Sequence, residues 1–276
     1  MVKQLYNVLI LCFLMTLSGC EELIDVDLNE VDPRIVIVAD LNNEESEHVV
    51  LVSRTVNFDE PRPSEPISDA IVFVESGNGK RYDFKLNTEG EYVNSNLPLS
   101  VGETYTLNVI VNGEQYTSTT KMLGYIEIDS IGVTKENLFS EDFYFINLKF
   151  SDPQGQPNYY RYGMSINNQP FKFNMVASDK YNDGNEVTHQ LGGQGANNEI
   201  KPGDHILVRR YIITKEVYTY WSEYMSTNPG SAAPGNPTSN INNGALGFFS
   251  VSSVRDYTVD IDEEPEIPDD SENPSE

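Results

Sequence analysis

Short apolar runs alternate with turn residues along most of the chain. Residues 34–39 and 48–52 are rich in Val and Ile and predict two strands, with Asn42-Asn43-Glu44-Glu45 as the turn between them. Three prolines within 59–66 predict a loop, because proline brings no donor to a ladder. Further strands are predicted over 70–74, 81–84, 92–93 and 104–111, with Gly77-Asn78-Gly79 as a tight turn. In the last of these, Tyr105, Leu107 and Val109 share one face at period two. Asn112-Gly113 predicts a hairpin into a returning strand at 115–120, since both turn positions favour positive φ. This pattern predicts an antiparallel sandwich over 33–122, immunoglobulin-like or transthyretin-like.

A second β-rich domain is expected over 123–257. Its strands are predicted at 126–133, 143–150, 159–166, 171–175, 205–213 and 245–251. The polar, glycine-bearing stretch 178–198 reads as loop, as does the proline-bearing stretch 228–243. One short helix is predicted after Thr214, which is placed to cap it. Glu216 then lies near its positive end, and Val217, Tyr220, Trp221 and Tyr224 form an apolar stripe. Pro229-Gly230 would end it. The expected fold class is therefore mainly β with one short helix.

The chain ends carry different signals. Lys3, an apolar run over 8–15 and Leu17-Ser18-Gly19-Cys20 read as a signal peptide spanning 1–19. The last four residues resemble the bacterial lipobox, in which the cysteine takes a diacylglycerol. Cys20 is thus the expected lipidation site, palmitate-bearing acyl chains the expected anchor, and 20–32 the expected tether. The other cysteine, Cys12, would leave with the signal, so the mature chain would hold no disulfide. Glu21 and Glu22 resemble an acidic surface-export signal, and no Asp follows Cys20. Cell-surface exposure is expected, with a periplasm-facing orientation as the alternative. Residues 258–276 are acidic and proline-bearing, without Lys or Arg from 260 onward, and read as a disordered tail.

The net charge of −25 sets the chain against phosphate backbones, so no nucleic acid is expected as partner. No motif for an active site emerges. There is no Gly-x-Ser-x-Gly elbow, no His-Glu-x-x-His and no phosphate-binding glycine loop. Histidines occur at 48, 189 and 205. His189 falls in a polar stretch and His205 beside a turn, and both read as surface or strand-edge residues. Asp179, Asp183 and Glu186 offer oxygens at short spacing, as a hard cation requires. Tyr181 breaks the EF-hand register, so the segment reads as a turn around Asp183-Gly184, and no metal or cofactor is assigned. Two aromatic runs, 159–162 and 218–221, suit either packing or stacking on sugar rings. Tyr160, Tyr220 and Trp221 are the candidate ligand-binding residues.

Several segments in order carry a family resemblance. They include the lipobox, Ser68-Asp69-Ala70-Ile71-Val72, Gly102-Glu103-Thr104-Tyr105, Phe150-Ser151-Asp152-Pro153 and Lys201-Pro202-Gly203-Asp204. The most distinctive runs from Asn240 to Phe249, with Asn243 where Gly is expected. Together they resemble the Bacteroidota lipoproteins of domain-of-unknown-function family 4249. That family has no established activity, so no catalytic residue carries over. The resemblance implies a place beside TonB-dependent receptors. The leading expectation is a non-enzymatic outer-membrane lipoprotein, an accessory or binding subunit of such a transporter or another outer-membrane complex. The alternative is a cell-surface glycan- or nutrient-binding module. A hydrolase would need a pocket that sets His189 or His205 beside a nucleophile or paired acids.

Overall fold

The first half of the protein builds one layered core from alternating strands. In a computed structural model, which describes residues 32–56, 63–138, 141–193, 200–226 and 235–262, β1 (Ile35–Asn42) pairs antiparallel with β2 (His48–Arg54). A two-residue β3 (Glu65–Pro66) also pairs β2. β4 (Ile71–Ser76), β5 (Arg81–Thr88), β6 (Glu91–Asn94), β7 (Thr104–Val111) and β8 (Glu114–Lys121) complete this half. The ladder runs β1-β2-β6-β5-β4-β7-β8, with a register shift between Leu86 and Thr88. Ile37, Val50, Val74, Leu107 and Val109 meet in a single buried cluster. Each such side chain contributes about 1.5–3 kcal/mol by leaving water.

The second half repeats the principle with different strands. β9 (Ser130–Leu138), β10 (Glu141–Ser151) and β13 (Glu186–Gly192) form a three-stranded sheet in the order β13-β10-β9. β11 (Tyr159–Ile166), β12 (Lys172–Ser178) and β14 (His205–Ile213) form the ladder β12-β11-β14. Ile146 and Leu148 from the first set and Tyr160, Tyr162 and Val208 from the second share one buried cluster. The arrangement is mainly β and sandwich-like, with one helix, α1 (Lys215–Ser226).

One strand joins the halves. β15 (Leu246–Asp260) pairs parallel with β1 from Leu246 to Ser252, then antiparallel with β14 from Ser253 to Asp260. The described residues from Pro33 onward fall in one compact unit. The first cluster also takes Ile241, Ala245, Phe249 and Val251 from the far end of the chain, so its residues come from both sides of residue 122.

The strand is longer than 245–251 because residues 247–254 are buried without a break, which erases alternation. Ser250, Ser252 and Ser253 lie inside, satisfied by the Ser250–Ser252 hydroxyl contact at 2.8 Å and the bond from Ser253 to the Leu123 carbonyl. β15 also takes three residues from the segment expected as tail, and Ile261 beyond it is buried. β13 stands within the stretch expected as loop. Its inward residues are Val187, the half-buried His189 and Leu191, a pattern too polar to read as a strand. β9 begins at Ser130 rather than 126. The signal peptide, Cys20, the tether before Asp32 and the tail beyond residue 262 lie outside the described residues.

The Asn240–Phe249 segment is a structural clasp. The Asn240 amide donates to the Phe249 carbonyl at 2.8 Å and accepts from the Phe249 N–H at 2.9 Å. The Asn242 side chain accepts from the Thr117 N–H at 2.7 Å, and Asn243 donates to the Gln115 carbonyl at 2.6 Å. Asn243 has φ 54°, so Asn occupies a left-handed position that the resemblance assigns to Gly.

Candidate functional site

The pleat of β11 sorts its aromatic run onto two faces. Tyr160 and Tyr162 point into the second core, while Tyr159 and Arg161 point toward α1. Arg161 lies opposite Tyr211 of β14, and its guanidinium sits 3.8 Å from that ring centre. The same guanidinium is 5.1 Å from the Trp221 ring and 2.5 Å from Asp40 Oδ2 of β1. Its side chain is 6% exposed, against 26% for Asp40. α1 docks through fully buried Val217, which sets Trp221 against Phe173 in a stack at 4.6 Å and 18°.

These groups line a cleft of about 310 Å³. Its lining is largely aromatic, with Asp40, Arg161 and Lys172 as its charged members. Asp40 Oδ1, Arg161 Nε and Trp221 Nε1 are all buried and all lack a hydrogen-bond partner. Each such group costs about 1–3 kcal/mol unless something pairs with it. Together they are one acceptor and two donors on residues that line the same cleft.

The candidate residues are therefore not equivalent. Trp221 lines the cleft. Tyr220 packs half-buried against Phe248, at 4.7 Å, and supports the helix. Tyr160 is 1% exposed and is corrected to a core residue, because period two turns it away from the cleft. Arg161 and Asp40 went unread. They lie 121 positions apart, and no local pattern links them.

The opposite face of β11 holds a second polar group. Arg210, opposite Tyr162, is fully buried and donates Nε to the Tyr162 hydroxyl at 3.1 Å and Nη1 to the Ile126 carbonyl. Its guanidinium lies 4.3 Å from the Phe150 ring and 4.7 Å from Tyr160. His189 Nδ1 meets the Tyr162 hydroxyl at 2.6 Å. Burial first, and the Arg210 charge second, lower the His189 pKa to about 4. That histidine is a neutral core partner on edge strand β13, not a loop residue. His48 is buried against the Leu97 carbonyl at 3.1 Å, and His205 pairs exposed with Asp260 at 2.6 Å.

The turn between β12 and β13 brings Asp179 and Asp183 together with Asp152, just beyond β10. Glu186 does not join them; it pairs with Lys149 at 2.8 Å. Burial pushes the Asp179 pKa up, and the Asp152 and Asp183 charges add to this.

Comparison with solved structures returned distant β-proteins. A two-domain fibronectin type III segment of chicken tenascin is 12% identical over 65% of this chain and 90% of that one, with a TM-score of 0.21. A pullulanase from Anoxybacillus sp. LM18-11, complexed with maltotriose, is 11% identical over 64% of this chain, with a TM-score of 0.20. The chain spans about 24% of that enzyme's length. A comparison with curated proteins found no match. One family model matches residues 21–258, from before β1 to within the last residues of β15, and the chain belongs to that family, described as a domain of unknown function, DUF4249.

Proposed function

We propose that this protein is a non-enzymatic binding module whose aromatic cleft takes a neutral saccharide. The observation that carries the reading is a cleft walled by Trp221, Tyr211, Phe173 and Phe248 around the Arg161–Asp40 pair. Hydroxyl groups both donate and accept, so a polyol suits a cleft that sets a guanidinium beside a carboxylate. Arg161 is already paired with Asp40, so it is not a free anion-binding charge, and Lys172 adds one further amine to the lining. An aromatic wall suits the apolar face of a sugar ring. A glycan array probed with the folded chain tests this. Retention on neutral glycans, weakened at least tenfold by Trp221→Ala, is expected. Retention on none, or retention indifferent to Trp221, contradicts it.

The setting we propose is the outer membrane of a Bacteroidota cell, with Cys20 lipidated and the body exposed at the surface beside a TonB-dependent transporter. Support comes from Leu17-Ser18-Gly19-Cys20 and the acidic residues that follow. Two acyl chains and more hold a protein stably, at about 0.8 kcal/mol per buried CH₂. The test is a pulldown from detergent-solubilised native outer membranes, with protease shaving of intact cells. A stoichiometric transporter and shaving from outside are expected. A solitary, protease-protected protein contradicts this setting without touching the cleft.

A further inference from the structure

We propose that Asp152, Asp179, Asp183 and the side-chain oxygen of Asn158 form a Ca²⁺ site beside the turn between β12 and β13. One carboxylate oxygen from each aspartate lies within 4.8 Å of the others. Two of the three residues are buried, Asp152 at 5% and Asp179 at 7% exposure. Three like charges held this close repel one another, and burial strengthens the repulsion. A divalent cation removes that cost.

Backbone N–H groups and the Tyr160 hydroxyl hold the carboxylates in place. Asp152 Oδ1 accepts from the Tyr160 hydroxyl at 2.5 Å. Asp179 Oδ2 accepts from the Asn158 N–H at 2.7 Å, and Asp183 Oδ1 from the Gly155 N–H at 2.7 Å. The Gly184 N–H also approaches Asp152 Oδ2, at 3.4 Å, and a carboxylate oxygen that accepts one hydrogen bond keeps a lone pair for a cation.

Asn158 supplies the independent sign of a ligand. It is 8% exposed, and its Oδ1 has no hydrogen-bond partner. It immediately precedes β11, and it is tied to the cluster by its own backbone: its N–H donates to Asp179 Oδ2 and its carbonyl accepts from the Asp179 N–H. Asn158 also lies directly across from Asp179, since the next pair in the ladder is Tyr159–Ser178. Its amide oxygen therefore faces the space between the aspartates. Carboxylates and amide carbonyls drawn from separate segments are the hard, flexible donor set that Ca²⁺ accepts. Bound there, the ion would tie the end of β10, the start of β11 and the β12–β13 turn together.

Calorimetry with Ca²⁺ alone, on full-length chain stripped with EDTA, tests the proposal. One saturable site is expected below about 1 mM, with a higher melting temperature when it is filled. Asp183→Asn keeps the acceptor for Gly155 and should weaken that site at least tenfold. Asp179→Asn provides a second test, with circular dichroism reporting that each variant is folded. Glu186→Gln, outside the cluster, should leave it unchanged. Two outcomes overturn the assignment. One is no saturable binding up to about 10 mM. The other is binding unaltered in both folded aspartate variants, which would place the cation on the acidic tail or elsewhere.

Discussion

At Gly247 the backbone turns through φ 93°, and a Cβ there would stand 1.9 Å from the Ile37 carbonyl oxygen. No side chain moves aside to admit it, because the obstacle is the backbone of β1. Gly247→Ala is expected to cost about 3 kcal/mol or more in urea unfolding. A loss below about 1 kcal/mol would mean that the β1–β15 approach is looser than described. His189 sets a pH dependence. Its folded pKa, near 4, lies below the ordinary 6.5, so the unfolded chain binds the extra proton first. Its contribution is complete above pH 6.5 and is lost as pH falls toward 4. His189→Gln should flatten the fall in melting temperature across that window. These two residues also mark the limits of reading a sequence. Gly247 sits in a segment singled out as distinctive, yet only the contact with Ile37 gives the reason. His189 looked like a loop residue, because the Tyr162 hydroxyl that receives it is 27 positions away.

Among elements, legibility followed the regularity of burial. β7, β11 and β14 have the predicted bounds, and α1 has the predicted stripe. Each of those strands has an apolar or aromatic run that the pattern makes plain, whether one face is buried or both. β13 and the second half of β15 did not stand out, since one buries a histidine and the other buries serines among apolar neighbours. The helix stripe is itself graded: Val217 is fully buried, Trp221 half-buried and Tyr224 51% exposed. Val217 is thus the docking residue. Val217→Asp places an unpaired charge in an apolar seat and should cost about 3–5 kcal/mol locally. α1 should then leave the sheet, moving tryptophan emission to longer wavelength while the β-sheet circular dichroism persists. Loss of the sheet signal in step with the emission would instead make α1 integral to the fold.

At the scale of the molecule, two hydrophobic clusters share β15, and α1 covers the outer face where Arg161 and Trp221 meet. The β-rich class was legible in sequence, from the alternating apolar runs between turns. The cleft was not, apart from Trp221, because Asp40, Arg161, Tyr211 and Phe173 come from four different strands. Tertiary structure alone assembles them. The chain carries a single tryptophan, so its emission reports on this cleft without labels. The most direct measurement is a fluorescence titration of the folded chain with neutral oligosaccharides. A saturable change in Trp221 emission is expected, abolished by Asp40→Asn in a variant that melts as a folded protein. Emission unmoved by every saccharide that binds the chain, or by all saccharides tested, would contradict it.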